Sequence, residues 1–103
     1  MEKIYFEIFE QLGQLNRTGR YTTFWSFSGH INVISIQIYS GAWTDKKKPI
    51  FEIQQITVGA SYYYDGCVRC HFDPQTFRKY LADLLVFRSR KGQSYPNYSD
   101  YDK

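Results

Sequence analysis

In the first half of the chain, two segments alternate apolar and polar residues, and a Gly-His pair separates them. Such alternation predicts two β-strands with one buried face, because successive side chains of a strand point to opposite faces. With Gly29-His30 as a two-residue turn, Trp25 lies opposite Ile34. The residues predicted for the buried face are Tyr21, Thr23, Trp25, Phe27, Asn32, Ile34, Ile36 and Ile38. A one-residue slip would move every side chain to the other face, so this hairpin constrains the fold strongly.

The next apolar segment predicts a third strand that carries an irregularity. Pro49 precedes the segment, and Phe51 and Ile53 alternate with polar neighbours. The apolar phase then changes at Gln54-Gln55, which is the pattern that one inserted residue produces when a strand contains a β-bulge. The sequence therefore predicts a bulge inside the third strand.

A second hairpin is predicted around Asp65-Gly66, a pair that favours a two-residue type I′ turn. With this turn, Tyr64 lies opposite Cys67, and Tyr62 lies opposite Arg69. The face that we expect to be the drier one carries Tyr63, Val68, Cys70 and Phe72. The other face carries Tyr62, Tyr64, Cys67, Arg69 and His71.

Helical periodicity is found on both sides of these strands. Residues 2–15 place apolar side chains at spacings of three and four, which predicts an amphipathic helix with Ile4, Tyr5, Ile8, Phe9, Leu12 and Leu15 on one side. Asp73-Pro74 is a typical helix start, with Asp as the N-cap and Pro as the first helical residue. This second helix is expected to end near residues 88–92, and its core stripe is Phe77, Leu81, Leu84 and Leu85.

The order of elements predicts one α+β domain over residues 1–92. We expect an antiparallel sheet of four to five strands in hairpins, flanked by an N-terminal and a C-terminal helix that pack on one face. A chain of 103 residues is long enough for such a domain without disulfides or metals to support a thin core. Residues 93–103 are rich in tyrosine and have no periodicity, so we expect them to form a disordered tail.

Charge and hydropathy exclude some classes of function. The net charge of +3 is small for a protein dedicated to duplex DNA. No apolar run approaches the ~20 residues of a membrane span, and the first residues lack a signal-peptide pattern. We therefore expect a soluble, cytoplasmic protein that has no membrane partner. The sequence leaves its oligomeric state open.

The segment Cys67-Val68-Arg69-Cys70-His71 has the spacing of a covalent haem attachment motif. Haem is disfavoured because the chain has no export signal and a single Met. A redox pair would lie at a helix N-terminus, whereas this segment is predicted as a strand. We expect no cofactor. Zinc stays open as an alternative, with Cys67, Cys70 and His71 as ligands, and it requires these residues to turn instead of extending.

The sequence contains no enzyme signature, because it lacks a Gly-rich phosphate loop, a G-x-S-x-G elbow and an H-E-x-x-H motif. We therefore expect a non-enzymatic protein that acts by binding. Aromatic residues make up 19% of the chain, and many have no place in the predicted core. These surplus rings are Phe24, Tyr39, Trp43, Tyr62, Tyr64 and the tyrosines of the tail.

Several surplus rings lie near positive charge. Tyr, Trp and Arg are enriched in the hot spots of protein interfaces, and aromatic rings with cations also bind single-stranded nucleic acid. We favour a protein partner because the chain is only weakly basic, and a nucleic-acid partner is the alternative. The predicted partner-binding residues are Trp43, Lys46, Lys47, Lys48, Tyr62, Tyr64 and Arg69.

Two resemblances bear on function. The order helix–strands–helix resembles the double-stranded-RNA-binding domain, but Pro74-Gln75-Thr76-Phe77 stands where that family has its basic motif. The chain has only three alanines and is rich in Ile, Lys, Tyr and Phe, a bias that suggests an AT-rich coding sequence. This bias, the length, and the stretch from Ser28-Gly29-His30-Ile31-Asn32 to Trp43 resemble small accessory proteins of phages that infect low-GC Gram-positive bacteria. That resemblance implies a protein that binds and blocks a host protein in the host cytoplasm, for example a nucleic-acid-guided defence nuclease. A nucleic-acid-binding protein and a small zinc-binding module are the alternatives.

Overall fold

Antiparallel hydrogen bonding joins the strands in chain order. The strands are β1 (Tyr21–Ser28), β2 (Val33–Ser40), β3 (Phe51–Thr57), β4 (Tyr62–Asp65) and β5 (Val68–His71), and the sheet order is β1-β2-β3-β4-β5. Helix α1 (Lys3–Arg17) precedes the sheet, α2 (Pro74–Val86) follows it, and a 3₁₀ turn covers Tyr98–Asp100. This computed structural model describes residues 3–29, 32–57, 62–65, 68–87 and 95–101. The predicted α+β class with a helix at each end is confirmed, and β1 and β5 form the edges of the sheet.

The core lies between the two helices and one face of the sheet. Buried side chains of α1 recur every three or four residues, as predicted, and are Tyr5, Ile8, Leu12 and Leu15. They join a single cluster with residues of α2 and with Ile34, Ile36, Ile38, Ile53 and Ile56 of the sheet. Between the helices, Arg78 forms an ion pair of 2.7 Å with Glu7. No helix in the described ranges is long and apolar enough to cross a membrane.

The second helix begins where the sequence predicts. Asp73 has extended backbone angles, and its carboxylate accepts hydrogen bonds from the Thr76 N–H at 3.3 Å and from Thr76 Oγ1 at 2.7 Å. The predicted end at residues 88–92 is wrong, because α2 ends at Val86. Phe87 leaves the helix with extended backbone angles, while its N–H still bonds to the carbonyl oxygens of Asp83 and Leu84.

In the first hairpin the predicted strand faces are retained, except that Asn32, predicted for the buried face, is exposed outside the strands, and the predicted registers of both hairpins are wrong by two residues. In the first hairpin, Trp25 lies opposite Ile36 instead of Ile34, and the pairing ends with Ser28 opposite Val33. Asn32 takes a left-handed φ of 53° there, a conformation that asparagine tolerates. In the second hairpin, Tyr64 lies opposite Arg69 instead of Cys67. A shift of two residues keeps each side chain on its face, so alternation alone does not select between these registers.

The predicted bulge in the third strand is confirmed. Ile34 of β2 pairs with Ile56 of β3, whereas Ile36 pairs with Ile53, so the register shifts between these pairs. Two residues of β3, Gln54 and Gln55, therefore lie opposite the single residue Ser35 of β2. This extra residue keeps both Ile53 and Ile56 in the core, where each is buried.

The described part of the predicted tail is ordered against the core, which differs from the expected disorder. The ring centroid of Tyr98 lies 5.6 Å from that of Phe51 and 5.8 Å from that of Phe77. The Tyr98 hydroxyl accepts a hydrogen bond of 3.1 Å from the Asp73 N–H. Tyr101 donates a hydrogen bond of 2.5 Å to Asp83. Residues 95–101 return to cover the end of the core, a long-range contact that no local periodicity encodes.

Candidate functional site

Large exposed aromatic side chains concentrate at the β1 edge of the sheet. The exposed fractions are 45% for Phe24, 38% for Trp25, 41% for Phe27 and 49% for Trp43. Trp25 and Phe27 were expected in the core, and that expectation is wrong. Both lie on the helix-covered face, but they belong to an edge strand. Trp25 only stacks on Phe9 of α1, with ring centroids 6.3 Å apart and planes inclined by 13°.

Three rings form an aromatic cluster on the opposite, open face of the sheet. Phe24 contacts Tyr39 at 6.0 Å and Trp43 at 6.1 Å between ring centroids, in both cases nearly edge to face. Tyr39 was predicted to be a surplus surface ring, yet only 7% of it is exposed. Edge-to-face pairs of this kind fix ring orientation and add stability beyond area burial. Phe24 is therefore exposed but oriented by its contact with Tyr39, and Trp43 is oriented by its contact with Phe24.

The loop after β2 carries the three predicted lysines, and they do not behave alike. The Lys47 ammonium folds back and donates to the carbonyl oxygens of Ser40 and Ala42, the latter at 3.1 Å. Lys46 and Lys48 are exposed, and neither forms a hydrogen bond or ion pair within the described ranges. Lys47 thus shapes the loop, whereas Lys46 and Lys48 present free cations a few residues from Trp43.

A shallow groove of about 340 Å³ runs beside the aromatic cluster on the open face. Its polar lining includes Ser26, Ser35 and Gln37, and Phe24 forms one side. Gln37 donates a hydrogen bond of 2.6 Å to the Glu52 carboxylate, which puts a negative charge next to the groove. The groove combines an aromatic side with hydrogen-bonding groups, as the surfaces that bind protein segments do.

The other predicted partner residues belong to a different part of the sheet. The backbone register pairs Tyr62 with His71 and Tyr64 with Arg69. Strands β2 and β3 lie between β1 and β4, so Tyr62 and Tyr64 on β4 are about 14 Å from β1, and Arg69 on β5 is about 19 Å from it, at the usual strand spacing. The side chains of Tyr62, Tyr64 and Arg69 lie outside the described part of the chain. The structure therefore brings Trp43 together with Phe24, Tyr39 and the lysine loop, but not with these three residues.

The predicted zinc ligands also lie outside the described side chains. Cys70 and His71 occupy successive positions of the extended strand β5, and Cys67 lies outside the described residues. Among the described side chains, no group of three metal-ligating residues is found. The zinc alternative stays a prediction, which metal analysis of the purified protein tests.

Two tyrosine hydroxyls have altered acidity, both in the core region near α2. Burial, followed by the nearby Tyr21 and Tyr101, raises the pKa of Tyr80 well above its usual range. Burial and then the hydrogen bond to Asp83 raise the pKa of Tyr101 to about 12. Both groups stay protonated at neutral pH, so neither offers a general base there.

Sequence reasoning missed Phe24 and Trp25 as members of one exposed edge. The signal that could have found them is the uncharged run from Tyr21 to Ser28, which lacks the lysines that protect edge strands.

Compared with protein-family models, with curated proteins and with solved structures, the chain has no match.

Proposed function

We propose that this chain is a non-enzymatic binding protein that recognises a protein partner through the surface formed by Phe24, Trp43, Lys46 and Lys48. We further propose that it is a phage or mobile-element accessory protein whose binding blocks a host protein. The observation that carries the first proposal is the aromatic cluster, in which the nearly buried Tyr39 contacts the exposed Phe24, and Phe24 in turn contacts the exposed Trp43.

The cluster has the properties of an interface hot spot. Exposed Trp and Phe side chains offer a large apolar area, and their fixed orientation lowers the entropy lost on binding. Lys46 and Lys48 lie in the same loop as Trp43, so an acidic rim on the partner would complement them. The groove next to Phe24 adds hydroxyl and amide groups that can satisfy polar atoms of a partner.

The nature of the partner follows from a sequence resemblance and not from this geometry. The stretch that resembles phage accessory proteins ends at Trp43, within the proposed surface. On that basis the candidate partner is a host protein of the nucleic-acid-guided defence class.

The test compares three forms of the chain immobilised on a resin and exposed to host lysate. A partner protein should be retained by the wild type and by Phe6→Ala, and lost with Trp43→Ala. Phe6 is a matched control because it is an aromatic residue of α1 that is 58% exposed. With the purified partner, Trp43→Ala should weaken affinity by about 30-fold or more, as expected for a hot spot worth about 2 kcal/mol.

Two outcomes would contradict the proposal. Equal retention by Trp43→Ala and Phe6→Ala would show that the aromatic cluster does not recognise the partner. Retention of a single-stranded oligonucleotide, with an affinity that falls steeply as salt increases, would favour the nucleic-acid alternative instead. An affinity for the protein partner that falls only modestly with salt is the expected result, because the ring contacts are apolar and only Lys46 and Lys48 add contacts that salt screens.

A further inference from the structure

The outer edge of β1 can be assigned residue by residue from its hydrogen bonds. The Gly41 N–H donates to the Arg20 carbonyl at 2.7 Å, and the β1–β2 register continues from this pair through Ser28 and Val33. Antiparallel bonding alternates along a strand, so every second residue of β1 points its backbone groups away from β2. These outward residues are Tyr21, Thr23, Trp25 and Phe27.

The first half of this edge is capped by the end of α1. The Thr23 N–H donates to Asn16 Oδ1 at 2.8 Å, and Asn16 Nδ2 donates to the Thr23 carbonyl at 3.2 Å. The Asn16 amide thus takes the place of a neighbouring strand at Thr23. These contacts also confirm that Thr23 and its alternate neighbours face outward.

The second half of the edge is open. No group in the described ranges hydrogen-bonds the N–H or C=O of Trp25 or Phe27. The side chains here are exposed, and residues 21–28 contain no charge and no proline. Natural edge strands usually carry charged residues or proline, which prevent pairing with another chain. The edge of β1 lacks both, and the outward backbone groups of Trp25 and Phe27 can therefore accept one further strand.

We propose that this strand is β1 of a second copy of the chain, paired antiparallel about a two-fold axis at Ser26. In this register Trp25 lies opposite Phe27 of the second copy, and the two residues exchange both backbone hydrogen bonds. By symmetry, Phe27 of the first copy lies opposite Trp25 of the second copy, and these two residues also exchange both backbone hydrogen bonds. All four residues thereby gain partners for their open backbone groups. The neighbouring pair would place Thr23 opposite Gly29, where the Asn16 cap ends the pairing.

The absence of charge and the self-complementary register support a second copy as the occupant. Because the paired segments are uncharged, two identical strands meet without the like-charge repulsion that a charged edge would bring. Trp25 and Phe27 of opposite copies form cross-strand aromatic pairs, which stabilise sheets. The exposed parts of Trp25 and Phe27 in two copies amount to about 300 Å² at roughly 200 Å² per ring residue, about a fifth of a standard interface. We therefore expect a weak dimer that is held mainly by the paired backbones.

The dimer would give the sheet ten strands and place both aromatic clusters on the same open face. The inference goes beyond the proposed function and does not depend on it, because Trp43 and the lysine loop lie outside the paired segment. Trp43→Ala should therefore leave the dimer intact.

The first experiment measures self-association by sedimentation over roughly 1–300 µM, a range that covers weak dimers. The wild type should dimerise, and Trp25→Lys and Phe27→Glu should each weaken the dimer at least ten-fold. Mixing the two variants should restore association, because the proposed register puts the introduced lysine opposite the introduced glutamate. Circular dichroism spectra and melting curves of each variant verify that these exposed substitutions leave the fold intact.

The second experiment tests the register with a disulfide. Ser26 would lie opposite Ser26 of the second copy as a non-hydrogen-bonded pair, with Cα atoms about 4.5 Å apart, within disulfide reach. Ser26→Cys should cross-link under mild oxidation, and Ser35→Cys, one strand further in, should not. Mass spectrometry of the peptides identifies position 26 on both sides of the bond and separates it from bonds made by Cys67 or Cys70.

A wild-type chain that stays monomeric to 300 µM would overturn the proposal. So would a dimer that neither charged variant weakens, or one in which Ser26→Cys fails to cross-link, since another surface would then form the contact. Because the lysate experiment depends on Trp43, it can succeed or fail independently of these results.

Discussion

Two sets of aromatic rings in this protein have similar chemistry and opposite environments. Rings of β3, α2 and residues 95–101 pack against one another, and Phe51 lies 4.8 Å from Phe77 and 5.6 Å from Tyr98. Rings at the β1 edge are exposed, although they occupy a regular strand. The helices and residues 95–101 cover the first set. Topology, and not residue type, therefore decides which rings form the core and which are available to a partner.

Strand β1 itself contains both a covered ring and an exposed ring. Tyr21 and Trp25 lie on one face of the strand, four residues apart, yet 3% of Tyr21 is exposed and 38% of Trp25. Tyr21 donates its hydroxyl to the Leu84 carbonyl at 2.8 Å, and the ring of Tyr95 covers it at 5.8 Å. Trp25 contacts the single ring of Phe9 on α1. Helix α2 and residues 95–101 thus cover Tyr21 at the beginning of β1, but they do not cover Trp25 near its end.

The largest expected effect compares one ring from each set. Tyr98→Ala should lower the free energy of unfolding by about 3 kcal/mol, because it removes a ring packed among several others and leaves a cavity. Trp43→Ala should lower it by no more than about 1 kcal/mol, since an exposed ring loses only its edge-to-face contact. Urea denaturation of both variants measures the difference. Equal losses would contradict the division into core rings and surface rings.

A smaller effect is expected at the capped half of β1. Asn16→Ala should reduce stability by about 1–2 kcal/mol, because the N–H and C=O of Thr23 both lose their partner. Asn16→Asp is the matched control, since it keeps the acceptor for the Thr23 N–H while losing the donor to the carbonyl. Hydrogen exchange of the Thr23 amide should accelerate in Asn16→Ala more than in Asn16→Asp. An unchanged exchange rate would mean that the side chain of Asn16 does not cap this edge.

What the sequence predicts well is local. The start of α2 follows from Asp73 and Pro74, whose capping chemistry acts within one helical turn. The bulge follows from the change of phase at Gln54-Gln55, because burial of both Ile53 and Ile56 requires an extra residue. The faces of the strands follow from alternation, and the buried Ile34 and Ile36 agree with the predicted face.

What the sequence does not predict depends on contacts between distant residues. Strand alternation is unchanged by a two-residue shift, so it does not determine the register of either hairpin. Exposure of Trp25 and Phe27 depends on the position of β1 at the sheet edge, which no residue of β1 encodes. The packing of Tyr98 on Phe51 joins segments 47 residues apart. The sequence predicted the candidate site at Trp43 and the lysines but not at Phe24. The reason is that Phe24 joins the site through contacts with Tyr39 and Trp43, which are distant from it in the sequence.

The smallest effect concerns pH and belongs to the covered set of rings. The pKa of Tyr80 is raised by burial, so the folded state favours the neutral hydroxyl. Stability from this group is complete below pH 10, the ordinary tyrosine pKa, and is lost as pH rises towards the higher folded value. Between pH 9 and 11 the free energy of unfolding should fall by about 1 kcal/mol because of this group.

Tyr80→Phe should remove this loss of stability and should not destabilise the fold at pH 7, because the Tyr80 hydroxyl is buried and has no hydrogen-bond partner within the described ranges. Trp43→Phe is the control from the exposed set and should keep the wild-type pH dependence, since neither ring titrates. Urea denaturation at pH 7, 9 and 11 compares the three proteins, and identical slopes for Tyr80→Phe and the wild type would show that the covered hydroxyl is not what titrates.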